Sequence, residues 1–254
     1  DDPSASVQLV KLNTELSKIE SHQKNIAAAT NALSFEEVAL DSANDVLLRA
    51  RELTIQGQTG TLSQSDRDAI ANEIDGLREQ LLSIGNMQNA GGEYIFAGTA
   101  SNAPAYDANG VFQGDAIVRQ INIGEGVRVA QGHSGAEVFE AVNGGLNTFD
   151  VLAGLSQALR DKDQALVLER IVDVDAATEK LSSVRTSIGV RMNWIDDQAS
   201  LNDNFNLDLQ RTISDIQDLD IAEAIGRLQL QMVSLQAAQQ TFVKTQNLSL
   251  FNYL

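Results

Sequence analysis

Ile213–Leu254 reads ISDIQDLDIAEAIGRLQLQMVSLQAAQQTFVKTQNLSLFNYL, and this C-terminal stretch decides the fold. It contains no proline and one glycine, so little in its sequence interrupts a helix. Large apolar residues recur at alternating steps of three and four, which is a seven-residue repeat interrupted at Gln239. They are Ile221, Ile225, Leu228, Met232, Leu235 and Phe242. One apolar stripe on so long a helix predicts that the helix packs against a partner.

The chain ends in large apolar side chains as well. These are Leu248, Leu250, Phe251 and Leu254. Large apolar groups at a chain end are unfavourable in water, so we expect an assembly to bury them. The stripe and this apolar end together form the predicted subunit interface.

The N-terminal part of the chain repeats the pattern. Residues 1–54 are predicted to form one long helix, in which an apolar residue recurs at every seventh position. These positions are Leu12, Ile19, Ile26, Leu33, Leu40 and Leu47. Gly57–Thr61 interrupts the helix, and Ser63 or Ser65 is predicted to cap a second one that ends between Gly85 and Gly92. So short a connection favours an antiparallel helix pair.

Residues 85–145 have a different composition, because they contain 12 of the chain's 18 glycines. Tyr94–Phe96 and Ile117–Val129 are rich in β-forming residues and predict a small subdomain of two to four strands. A helix over Phe149–Lys162 follows, and Asn147 is predicted to cap it. From Asp163 a helical tract is predicted as far as Leu250, with an irregularity around Asn202–Asn204.

The predicted fold is therefore mainly α with a small β insertion. It is an elongated antiparallel helical bundle plus a short glycine-rich β-subdomain. Residues 1–90 and 148–212 are predicted to form the two halves of the bundle, and residues 91–147 the β-subdomain. Residues 213–254 are predicted to form a terminal helix that packs in an assembly.

Composition and motifs argue against most kinds of active site. A net charge of −17 disfavours nucleic acid and anionic membranes as partners, and no cysteine is present for thiol chemistry or disulfides. His22 and His133 lie apart from any ligand pattern. Four carboxylates of the terminal tract, Asp215, Asp218, Asp220 and Glu223, could bind a metal, although their spacing matches no calcium loop. An acidic surface patch explains them more simply.

Three stretches resemble the flagellin family. They are GGEYIFAGT at Gly91–Thr99, SDIQDLDIAEA at Ser214–Ala224 and LSLFNYL at Leu248–Leu254. The first and third resemble the members found at the hook–filament junction more than filament flagellins. The resemblance extends over nearly the whole sequence. It implies an N-terminal partner helix encoded before Asp1, which would pair with the C-terminal one.

The resemblance implies a structural role without catalysis, cofactor or metal. The protein would be an extracellular part of the bacterial flagellum, exported by the flagellar type III system without a cleaved signal and with the help of an export chaperone. It would join the hook, through the first junction protein, to the flagellin filament. It would form a ring with its own copies there and be a monomer in isolation.

Two alternatives stay open at this point. One is a filament flagellin with a minimal outer domain, and the other is a helical metal-dependent enzyme that uses the carboxylates of the terminal tract. In some flagellins an immune receptor contacts positions that match Arg49, Leu53 and Glu73. For a junction protein, we interpret these three as residues of helix packing and subunit contact.

Overall fold

The computed structural model describes residues 3–59, 62–217 and 221–247. Within these ranges the protein is mainly helical, with one small antiparallel sheet, as predicted. The elements are α1 (Pro3–Gly57), α2 (Gln64–Gly85), β1 (Gln120–Gly124), β2 (Val127–Ala130), α3 (Gly135–Val138), a 3-10 turn (Asn143–Gly145), α4 (Thr148–Asp161), α5 (Gln164–Gln217) and α6 (Ile221–Asn247).

The chain divides into two compact units. The larger unit is Ser17–Asn206, and the smaller unit combines Asp1–Leu16 with Leu207–Leu254. The predicted segment boundaries at residues 90, 147 and 212 stay a prediction about the organisation of the chain.

In the larger unit, α1 and α5 lie antiparallel. Polar contacts join the helices along their length, and the residue number falls along α5 as it rises along α1. The joined pairs are Gln23 Nε2 to Ala199 O at 3.2 Å, Glu37 Oε1 to Arg185 Nη2 at 2.6 Å, and Arg51 Nε to Asp175 Oδ1 at 2.6 Å.

The seven-residue repeat of α1 supplies the core of this helix pair. Leu33, Leu40 and Leu47 are fully buried, and Ile26 is nearly so. The small residues between them, including Ala29, Ala43 and Ala50, are also fully buried and let the neighbouring helices approach closely. On α5 the matching core residues are Val174, Leu181, Val184, Ile188 and Ile195.

The helices α2 and α4 form a second antiparallel pair. Ser63 caps α2, because its hydroxyl accepts from the backbone N–H of Asp66 while the Asp66 carboxylate accepts from the backbone of Ser63. Asn147 caps α4 by accepting from the N–H of Asp150 at 2.7 Å. Arg78 of α2 donates to the carbonyl of Phe149 at the start of α4. Both caps are among those predicted from the sequence.

The glycine-rich region contains fewer strands than its composition allows. β1 and β2 form one hairpin, with a register shift between Asn122 and Gly124. The strand predicted at Tyr94–Phe96 is wrong. Tyr94 makes one isolated bridge to Gln88, and the backbone then turns, with Ala97 N–H donating to Tyr94 O and Gly98 at φ +70°.

The irregularity predicted at Asn202–Asn204 is also wrong, because α5 runs through these residues without a break. Their polar side chains make tertiary contacts and do not compete with the helix backbone. Asn202 donates to the carbonyl of Ile123 in β1 at 2.9 Å, and Asp203 accepts from Gln23 of α1.

Five aromatic rings fill the space between the glycine-rich loops and the α2/α4 pair. The members of this aromatic cluster are Phe96, Tyr106, Phe112, Phe139 and Phe149. Tyr106 and Phe149 are closest, with ring centroids 4.7 Å apart. A Cβ on Gly110 would lie 2.8 Å from Cβ of Phe149, and the backbone there has φ +85°, so both space and conformation require glycine. The aromatic cluster therefore packs the loops onto the core of the helices.

Candidate assembly interface

The predicted seam of α6 is largely exposed. Ile225, Leu228, Met232, Leu235 and Phe242 are each between 51% and 63% accessible. The equivalent repeat in α1 is fully buried at three consecutive positions. A large apolar side chain contributes about 1.5–3 kcal/mol when it is removed from water, so this row favours association.

The other five predicted interface residues lie outside what the structure describes. For Ile221 the helix is described but the side chain is not, and the remaining four follow the last described residue. Those four are Leu248, Leu250, Phe251 and Leu254. Their part in an interface stays a prediction.

A second apolar row on α6 was missed in the sequence. Leu230 is 73% and Val233 64% accessible, and Ala237 continues their spacing. At 3.6 residues per turn this row lies about 160° from the seam. The steps of three and four between these residues are visible in the sequence, but the larger residues of the seam obscure them. α6 therefore presents apolar side chains on two nearly opposite sides, which suits a helix that is surrounded in an assembly.

The carboxylates of the terminal tract do not form a described metal site. Asp218 and Asp220 lie outside the described residues, and so does the side chain of Glu223. Asp215 is exposed on α5. Over the described part of the chain, no three His, Asp or Glu side chains are grouped so that they could hold a metal ion. No helix in that part is long and apolar enough to cross a membrane.

The positions that match receptor contacts in some flagellins take part in helix packing here. Arg49 Nη2 lies 2.7 Å from Glu73 Oε1, which joins α1 to α2. Leu53 is buried at 2% accessibility and is therefore a core residue. Both observations agree with the interpretation that these residues pack the helices.

The sequence placed His133 in a glycine-rich loop without a role, but the structure buries it against α1 and α5. Nδ1 of His133 lies 2.8 Å from Glu36 Oε1, and Nε2 lies 3.2 Å from Arg191 Nη2. A guanidinium can only donate, so Nε2 is the acceptor and Nδ1–H donates to Glu36. Arg191 also donates to the carbonyl of Gly132 at 3.1 Å. Hydrogen bonds among the three side chains thus connect the loop after β2 to the two long helices.

Glu36 is the least satisfied member of this cluster. It is 2% accessible, and its Oε2 has no hydrogen-bond partner among the described residues. Burial raises the pKa of the Glu36 carboxyl, and the hydrogen bond from His133 opposes that rise. A carboxyl whose pKa is raised by folding holds its proton more tightly in the folded state. It contributes stability below its ordinary pKa and loses that contribution as pH rises through the raised value.

We expect Glu36→Gln to remove this pH dependence. As pH rises from 4.5 to 7, the free energy of unfolding of the variant should increase relative to that of the wild type. The growth should be about 1.4 kcal/mol for each pH unit by which folding raises the pKa. Urea unfolding at a series of pH values measures it, with Glu20→Gln as a control at an exposed position. Parallel stability curves for wild type and Glu36→Gln would contradict the assignment.

The antiparallel helices and the exposed rows of α6 define a helical protein that acts through contact surfaces. Two sequence-family profiles match the chain: the bacterial flagellin N-terminal helical region over residues 1–101, and the bacterial flagellin C-terminal helical region over residues 171–254. The chain belongs to the flagellin family, whose members are structural proteins of the flagellum.

The individual relatives of this chain include hook-associated proteins. Flagellar hook-associated protein 3 of Escherichia coli is 28% identical over 276 residues, which cover 99% of this chain and 86% of the relative. The protein of the same name from Salmonella typhimurium is 26% identical over 275 residues and has the same coverage. A solved structure assigned to a flagellar hook-associated protein of Vibrio parahaemolyticus is 27% identical. It has a TM-score of 0.80 and covers 85% of this chain and 98% of that one.

Proposed function

We propose that this protein is the structural adapter that joins the bacterial flagellar hook to its filament. The observation that carries the proposal is the similarity to hook-associated protein 3 along 99% of the chain. The fold supports it, because the described region between α2 and α4 contains one two-stranded sheet, a short helix, a 3-10 turn and loops, and no large outer domain is inserted there. The filament-flagellin alternative is therefore disfavoured.

The mechanism is burial of apolar surface between subunits. Each of the two rows on α6 is long enough to contact a separate helix. We infer that the seam packs against one helix and the row at Leu230 and Val233 against another. The expectation of a partner helix encoded before Asp1 stays a prediction. No catalytic step is needed, and we propose that the protein is not an enzyme.

An adapter between hook and filament must contact the proteins on both sides of it, and this determines its partners. We propose contacts with the first junction protein on the hook side, with flagellin on the filament side, and with further copies of this chain in a ring. Export through the flagellar type III system with a chaperone, without a cleaved signal, would deliver it to the outside of the cell. A net charge of −17 favours a monomer before assembly, since like-charged copies repel.

Deleting the gene tests this proposal. We expect cells that make hooks without filaments and release flagellin into the medium, because the first flagellin subunits lack a surface on which to assemble. Electron microscopy of the hooks and immunoblotting of the medium measure both effects. Expression of the wild-type gene from a plasmid should restore filaments. A deletion strain that keeps its filaments would refute the adapter role.

A further inference from the structure

A row of large apolar side chains on α5 faces away from the α1 helix. Val190, Trp194, Leu201 and Phe205 follow one another at steps of four, seven and four, and each is between 47% and 65% accessible. Ile195, about 100° around α5 from Trp194, is buried instead. Trp194 is the only tryptophan of the chain. This α5 row lies within the larger unit.

The same unit contains a cleft of about 550 Å³. α1 forms one wall with Ala28, Ala32 and the half-exposed ring of Phe35, and Tyr94 and Ile95 form part of the opposite wall. Small residues on one side and apolar groups on both make room for one large aromatic side chain. Nothing in the flagellar comparison assigns a role to this cleft.

Polar groups complete the cleft. Asn31 and Gln131 lie in its lining, and each has an amide oxygen that can accept a hydrogen bond. Arg119 also lines it, and Arg119 Nη1 is 3.4 Å from Glu93 Oε1. The cleft thus offers amide acceptors and, beside them, a cation in a long, exposed ion pair.

We propose that Trp194 of one copy inserts into this cleft of a second copy. An indole is a large apolar ring whose polar group is one N–H donor, and it matches a cleft that combines apolar walls with amide acceptors such as Asn31 and Gln131. Asp197 lies three residues after Trp194 on the same face of α5, where it can meet Arg119 of the second copy. Tryptophan is enriched among the residues that contribute most to binding at protein interfaces.

The local charges of row and cleft favour a second copy as the occupant, against the general repulsion between two chains of net charge −17. Packing the α5 row against itself would bring two Asp197 carboxylates together in a chain of net charge −17, and that repulsion disfavours it. A contact between the α5 row of one copy and the cleft of the other instead pairs Asp197 with Arg119. Because row and cleft are different surfaces, each copy can donate one tryptophan and accept another. This contact does not involve α6, so it stands or falls independently of the flagellar role.

The single tryptophan makes the contact directly measurable. A fixed, dilute amount of wild type is titrated with Trp194→Ala protein, which is free of tryptophan but retains the cleft. We expect the emission of Trp194 to move to shorter wavelength and its quenching by acrylamide to fall as the indole becomes buried. The titration extends to about 1 mM, the limit for a contact worth about 4 kcal/mol.

Variants of the cleft test whether the indole binds there. Trp194→Ala protein that also carries Ala32→Arg, or Ala28→Arg at the more exposed position, should produce no shift, because a long side chain occupies the cleft. Asp197→Arg in the fluorescent copy should weaken binding, and Arg119→Asp in the acceptor should restore it. Thermal unfolding confirms that each variant is folded. No shift up to 1 mM, or an equal shift with the blocked clefts, overturns the proposal.

Discussion

Replacing Leu235 by aspartate is expected to abolish swimming while leaving the isolated protein as stable as the wild type. Leu235 is 61% accessible in the single chain, so its loss removes little burial from the fold. In the proposed assembly the same side chain is enclosed between helices. A carboxylate buried there without a partner costs several kcal/mol, which is enough to prevent a weak subunit contact.

Ser234→Asp is the matched control for that variant. It adds the same charge one residue away, but Ser234 lies about 100° around α6 from Leu235 and outside both apolar rows. We expect Ser234→Asp to retain swimming in soft agar and filaments in electron micrographs. Thermal unfolding of the purified variants checks the fold. If Leu235→Asp cells swim normally, or if both variants lose filaments equally, the seam is not the assembly surface.

The sequence predicts helices well here because their signals are local and repeated. In α1, the apolar residues at intervals of seven become a buried core from Ile26 to Leu47. The caps Ser63 and Asn147 depend on one side chain and the backbone N–H three residues later, and both form as predicted. A period reveals that a face is apolar, but it does not reveal what covers it. The same pattern is buried in α1 and exposed in α6.

The remainder of the structure depends on contacts between residues far apart in sequence. Glu36 and His133 are separated by 97 positions, and no local pattern marks them as a pair. The aromatic cluster gathers rings from Phe96 to Phe149 through loops whose course the glycines permit but do not specify. The wrong prediction of a strand at Tyr94 has the same cause. The β-forming residues there lie in a turn, and one of them places its ring in the aromatic cluster. Tertiary packing decided each of these cases.

Phe139→Ala is expected to produce the largest loss of stability among single substitutions in the glycine-rich region. Its ring is fully buried and contacts Phe96, Tyr106 and Phe149, with centroids 5.4–5.9 Å away. Removal leaves a cavity that the neighbouring rings cannot fill, which costs about 3–5 kcal/mol. The backbone contacts survive, because the hydrogen bonds to Phe139 from Thr148 end on its carbonyl oxygen.

For a unit of this size, that loss corresponds to a fall in Tm of roughly 6–20 °C. Phe205→Ala removes the same ring from a position that is 54% accessible, and its effect should stay within about 0.5 kcal/mol. Thermal and urea unfolding followed by circular dichroism compare the two variants. Comparable losses would mean that the glycine-rich loops do not depend on an aromatic core. A large loss for Phe139→Ala alone would show that these loops unfold together with the helices that support them.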